Sequence, residues 1–452
     1  MRRHFIALGA AIALTALGVA AAQANTGSID GGLPPPGTGV MARPLTGTPH
    51  FAVTSNPIEQ VRQLVQCGGT MYAVGAFSHI LQGSHDYARH NAFSFRAIPP
   101  FTMTSWAPNV NGEVNSIAFR GTNCSRAYIG GSFSSVNGTS AKNIAEITTG
   151  TGGVVKTFAH NASAAVQTIR GLSGHLLVGG SYTSINGSSS NPYMTSLNPS
   201  TGKDDGFVHL KISGHYVFKG VSFNTTKIYN QALSHNGKLD MVMGVFTSVG
   251  GVGRKQIFML NVGGSKARVT GWNSPDFNNH CVTDEPFYVQ AASWSPDDST
   301  VYVATSGRNQ PPLTFPLKGL CDVAAAFRAK QSSVFPIWKN YTGCDTLRST
   351  AADAGTAYFA GHERWSMNPN GCNFRGPAAI NAPGMEGLSP TNGDLYLNSG
   401  KTAGYYERSR GIGADDMLLT KAGLWIASDN LGHSQICGFV SGLSGICFLP
   451  YG

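Results

Sequence analysis

The sequence predicts an all-β fold, a seven-bladed β-propeller of four-stranded antiparallel blades, and three observations predict it. The first is composition. Of 452 residues, 57 are Gly, 12% are charged and 10% are aromatic, which excludes a coiled coil and a charged disordered chain. The glycines keep no three-residue period, so collagen is excluded too. The second is a short motif that returns seven times, and the third is the run of strand-like segments around each return.

In chain order, residues 1–24 read as a signal peptide. Met-Arg-Arg-His is a basic start, positions 5–22 carry no charge, and Ala22-Gln23-Ala24 is a small-x-small cleavage pattern. Residues 25–48 form a Gly/Pro-rich linker containing Pro34-Pro35-Pro36. Residues 49–452 are assigned to the propeller. No later stretch has the ~20 apolar residues of a membrane span, so the expected location is secreted or cell-envelope associated, with no stable membrane span after cleavage.

The repeat is clearest in Tyr128-Ile-Gly-Gly-Ser-Phe133 and Leu177-Val-Gly-Gly-Ser-Tyr182, each followed by a Ser/Thr-rich loop with Asn-Gly. Weaker copies begin at Tyr72, Met241, Tyr302, Tyr358 and Trp425, giving spacings of 56, 49, 64, 61, 56 and 67 residues. Each copy reads as a buried strand whose glycines allow close packing. An alternating strand precedes it, such as Val114-Asn-Ser-Ile-Ala-Phe119 or Val166-Gln-Thr-Ile-Arg170. A third follows, such as Ile144-Ala-Glu-Ile147, and a turn like Asn198-Pro-Ser-Thr-Gly202 leads to a fourth. Four short strands repeated seven times hide their faces by radial packing. The last unit is expected to own four strands near 417–420, 425–428, 435–439 and 446–449, with 51–54 as a possible closing strand.

Two strings carry a closer likeness, Trp106-Ala-Pro-Asn-Val-Asn-Gly-Glu-Val-Asn115 running on to Gly130-Gly-Ser-Phe-Ser-Ser-Val-Asn-Gly138, and Leu197-Asn-Pro-Ser-Thr-Gly202. They resemble the delta-60 repeat of bacterial secreted β-propellers. The last third is similar to the actinobacterial type through Tyr341-Thr-Gly-Cys-Asp-Thr-Leu347, Gly361-His-Glu-Arg-Trp365, Arg408-Ser-Arg-Gly-Ile-Gly413 and Gly423-Leu-Trp-Ile-Ala-Ser-Asp429. The resemblance implies the fold and export, and assigns no catalytic residue.

Strands are lettered A to D from the channel outward. A–B turns share one face of a propeller, and B–C loops and D–A links share the other. Eight cysteines in an exported chain favour disulfides, and these positions pair Cys67 with Cys124, Cys281 with Cys321, Cys344 with Cys372 and Cys437 with Cys447. The B–C face collects the candidate binding residues: His85, Tyr87 and His90; Arg254 and Lys255; Arg308; and His362, Arg364 and Trp365. Rings can stack on sugars and cations can pair with anionic groups. The same residues could equally be solvated, or fill space between blades.

No nucleophile elbow, EF-hand loop, zinc motif or phosphate-cradling loop is present, so no catalytic residue, metal or cofactor is expected. The formal charge of +9 is dispersed, which does not imply nucleic acid. The residues point to a binding or scaffold protein for an extracellular glycan, anionic envelope polymer or protein. Two further readings stay open: a glycan hydrolase or lyase using channel carboxylates, which needs two in a set geometry, and a structural surface protein.

Overall fold

A computed structural model describes residues 39–451, apart from 42–43, 54–56, 121–122, 219–220, 279–280, 282–287, 308–318, 344, 371–373, 399–401, 404–412 and 432–443. The fold is all-β. Among the described residues there are thirteen antiparallel sheets of two to four strands, and seven of them, each ordered as the chain runs, repeat one pattern along the chain. Their first, second and third strands are Gln60–Cys67, Thr70–Ala76 and Ala92–Arg96; Glu113–Arg120, Asn123–Ser132 and Ile144–Thr148; Val166–Leu172, His175–Gly180 and Met194–Leu197. The next two sheets add a fourth strand: Lys227–Leu233, Leu239–Val245, Ile257–Asn261 and Arg268–Val269; Tyr288–Trp294, Thr300–Ser306, Val323–Arg328 and Pro336–Tyr341. The last two are Leu347–Ala352, Ala357–Gly361 and Met385–Leu388, and Asp416–Thr420, Gly423–Ala427 and Ile446–Pro450.

The expected four-stranded blade is therefore uneven. In the first, second, third and sixth sheets the fourth position shrinks to single bridges, Phe95–Met103, Ile147–Val154, Leu197–Asp204 and Leu388–Leu395. Successive first strands touch one another in a cycle, and the seventh returns to the first. Cores lie between neighbouring sheets rather than inside one. Tyr72 of the first sheet meets Trp106 at 5.1 Å and Phe119 of the second at 4.7 Å, and Tyr302 and Phe359 face each other across the fifth and sixth. The middle of each second strand is buried on both faces, which is why its sequence there is mostly apolar or glycine; Asp240 is a buried exception.

Closure differs from expectation. The segment assigned to the linker, not 51–54, runs along the outer edge of the last sheet. Met41 and Leu45 donate backbone hydrogen bonds to Pro450 and Phe448 at 2.7 and 2.9 Å, and Val40 bridges Tyr451. Thr48 Oγ1 donates to the Ile446 carbonyl at 3.0 Å. Among the described residues Phe51 is hydrogen-bonded to Ser444 alone, its N donating to the carbonyl at 3.0 Å and its carbonyl accepting from Oγ at 2.8 Å; residue 54 lies outside the described residues. Ile446–Pro450 is thus the third strand of its sheet, with the chain's beginning outside it; residues 435–439 lie outside the described residues.

Side chains stitch the first strands together at every junction. Gln63 Oε1 accepts from Ser116 Oγ and Ile117 N at 2.9 and 2.8 Å, and Ser116 Oγ accepts from Ile169 N at 3.0 Å. Arg170 Nε donates to the Gln231 carbonyl at 3.0 Å, and Asn230 Nδ2 to the Gln290 carbonyl at 3.1 Å. Ser293 and Thr350 hydroxyls lie 3.1 Å apart, Ser349 Oγ donates to the Ala414 carbonyl at 3.0 Å, and Asp416 accepts from Leu64 N at 3.0 Å, completing the circuit. Inner strands are polar because their inner edge has no further strand to satisfy it.

Disulfides join Cys67 to Cys124 and Cys281 to Cys321. The first ties the A–B turns of neighbouring sheets. A second tie on neighbouring turns is a set of hydrogen bonds: Asp298 accepts from the His235 ring and backbone, both at 2.9 Å, and from Asn236 N at 3.0 Å. Cys447 is also disulfide-bonded; Cys344, Cys372 and Cys437 lie outside the described residues.

Candidate functional site

Six of the seven first strands carry a bulge at the same place. Pairing with the second strand skips one residue in each: Arg62, Asn115, Gln167, Tyr229, Gln290 and Arg348. A bulge re-aims the side chain of its extra residue. All six line one cavity of about 350 Å³, with Glu113, Asp415 and Asp416 completing the ring. The seven sheets thus converge on a single polar chamber.

Motif glycines stand opposite five of the six bulges. Gly75, Gly131, Gly180, Gly244 and Gly361 each pair with the residue just before the bulge. A Cβ there would stand 2.0–2.3 Å from the carbonyl oxygen that the bulge pushes toward it. At these five positions the first strand's distortion leaves no room for a Cβ; at the sixth, Thr305 stands opposite Val289.

Charges inside the chamber are matched. Arg62 donates through Nε to Glu113 at 2.7 Å and through Nη1 to Asp415 at 3.1 Å. Burial works against its charge, but Asp415 and Glu113 outweigh that and hold its pKa above the ordinary value. Arg348 Nη1 stands 3.9 Å from Asp415, and burial lowers its pKa. The Asp415 side chain is only 8% exposed, and desolvation pushes its pKa up to about 6 despite Arg62 and Arg348. Asp416 is raised by burial too, with Arg170 pulling the other way. Three guanidiniums face three carboxylates amid amides and hydroxyls (Gln63, Asn115, Ser116, Gln167, Thr168, Asn230, Gln290). Such a lining is polar with little net charge, and Asn115, Asn230 and Gln290 already donate within it, to the Val166 carbonyl, the Gln290 carbonyl and Ser306 Oγ at 3.2, 3.1 and 2.8 Å.

The expected loop residues fall elsewhere, on three separate sheets. His85 and Tyr87 share an exposed hairpin, ring centroids 6.1 Å apart, with the Arg89 guanidinium 5.1 Å from the Tyr87 ring. His90 is exposed beside it. Arg254 is a correction: it is 9% exposed, and it donates to the Gly253 and Thr270 carbonyls at 2.9 and 3.1 Å. It braces a loop and presents no cation to solvent; Lys255 beside it is half-buried. Arg308 lies outside the described residues. Arg364 pairs with Asp345 at 2.5 Å and lies 4.5 Å from the Trp365 ring. The His362 ring, held neutral by burial, accepts from Thr346 N through Nε2 at 3.2 Å. The residues missed were the bulge residues. Their signal was present in the sequence, as a polar pair after an apolar residue that breaks strand alternation: Val114-Asn-Ser and Val166-Gln-Thr.

Among the described residues no group of three His, Cys, Asp or Glu could hold a metal ion, and no helix is long and apolar enough to cross a membrane. No protein-family model and no curated protein matches the chain. Among solved structures it is similar to the WD40 β-propeller domain of Doa1, at 9% identity and TM-score 0.45 over 86% of this chain and 94% of that one. It is also similar to the extracellular domain of the hybrid two-component system BT3049 from B. thetaiotaomicron, at 11% identity and TM-score 0.44. That match covers 87% of this chain and 40% of the other. At these scores neither likeness bears on blade number, ligand or activity.

Proposed function

We propose that this chain is a secreted, seven-bladed β-propeller of the delta-60 repeat type that binds a neutral glycan in its central chamber. One observation carries the reading: bulge residues from six successive first strands point into one cavity whose charges are already paired. The cyclic contact of seven first strands supports the blade count, and the disulfides fit an oxidising, extracellular setting. The chamber replaces the loop face as the ligand site, and its balanced charge favours a neutral sugar over an anionic polymer.

The test is titration of the purified protein against a neutral glycan array. Gln167→Ala with Gln290→Ala should weaken binding roughly tenfold, the value of one or two hydrogen bonds, at an unchanged melting temperature. His85→Ala and Trp365→Ala should leave affinity intact; the reverse pattern would return the site to the loops. Asp415, raised to about 6 and sharing Arg62 with the Glu113 carboxylate, favours a second reading, glycan hydrolysis with Asp415 as the acid. Turnover of a bound glycan that Asp415→Asn abolishes would establish it.

A further inference from the structure

A second cavity, of about 1000 Å³, opens on the A–B turn side of the first three sheets, lined by Val65, Cys67, Phe119, Tyr128, Leu172 and His175 among others. It shares only Gln63 and Arg170 with the polar chamber. Those two residues line both cavities, and both side chains are pinned. Gln63 Oε1 is held by Ser116 Oγ and Ile117 N at 2.9 and 2.8 Å. Arg170 donates through Nε to the Gln231 carbonyl at 3.0 Å and through Nη1 to the Ile169 carbonyl at 2.9 Å. Asp416, in the polar chamber, and the buried Asp240 both attract the Arg170 guanidinium. Clearing the way would break these bonds together and strand a buried guanidinium, which costs far more than one sugar contact returns.

We infer that the polar chamber is blind, with Gln63 and Arg170 as its floor, and that it recognises the terminus of a sugar chain rather than an internal segment. This rests on the glycan reading above. A chain entering from the open end stops where its last residue meets the floor, so its terminal hydroxyls meet the inner amides. The chamber volume of about 350 Å³ holds roughly one or two sugar rings, at the small end of ligand pockets. Neither a loop of a polymer nor a continuous strand could pass through.

The experiment is an array of neutral oligosaccharides printed as series, each member extended by one further terminal residue of a different sugar. Wild-type protein should bind a member and lose at least about tenfold in affinity when that terminus is capped by the next residue. Affinity that survives extension within every series would overturn end recognition while leaving glycan binding standing. Absence of binding to all series would overturn the glycan reading and this inference with it. Arg170→Ala and, because that variant also loses a stitch between sheets, Gln63→Ala provide the second arm. Either, if folded by its melting transition, should now retain extended members. Discrimination unchanged in both would contradict the floor.

Discussion

A methyl group on Gly131 would stand 2.0 Å from the Glu113 carbonyl oxygen, a distance no carbon keeps without backbone movement. Gly131→Ala should therefore cost about 1–3 kcal/mol or more, the range of overpacked sites. Gly253→Ala, where nothing lies within 4 Å, should be close to neutral. Thermal melts of the two variants check this; equal melting temperatures would mean the bulge does not constrain the glycine. The glycine motif was legible in the sequence as a marker of close packing. What it packs against was not, because the contact depends on a register shift in the neighbouring strand. The polar pair Asn115-Ser116 shows the difficulty. In strict alternation one of the two should face the core; the bulge turns both toward the channel. The setting of Arg254 was illegible for a related reason. It looks exposed by residue type, yet the carbonyls of Gly253 and Thr270 capture it.

At the scale of strands and segments, the repeat fixed the order of the sheets, because each copy marks the second strand of one of them. Fourth strands were harder to read. In four sheets they contract to a single bridge, too short to leave a pattern. The closing strand was misplaced because residues 40–48 look like linker: Pro44 and Gly47 punctuate them. Pairing there needs only the edge of the last sheet, which tolerates Pro in an outer position. Removing residues 39–48 should expose the edge of Ile446–Pro450, break the bonds of Met41, Leu45 and Thr48, and lower the melting temperature sharply. Deleting the exposed pair 52–53 alone should do little. A truncated protein that melts like the full chain would show that the ring closes by side-chain packing alone.

The molecule as a whole buries carboxyl groups at unusual depth. Desolvation raises Asp240 to about 7, against attraction from Arg170, Glu386 to about 8, and Asp415 to about 6. Between the ordinary carboxyl range and these values the folded protein holds protons that the unfolded chain has released, so stability falls as pH rises. The contribution is complete below about pH 4 and is lost by about pH 8. Melting temperature should drop across that window, and Asp240→Asn should flatten the slope; a profile that rises with pH would contradict the burial of these groups.

The same ring that buries these acids gathers the chamber. Its charges are paired and its lining is polar throughout, which distinguishes it from the scattered loop residues. The direct measurement is a crystal structure of the protein with an oligosaccharide that it binds. Sugar density against Gln167, Gln290 and Arg348, ending at Gln63 and Arg170, is the predicted result. Density confined to the hairpin of His85 and Tyr87 or to the Arg364–Trp365 pair, with the chamber holding only solvent, would contradict it.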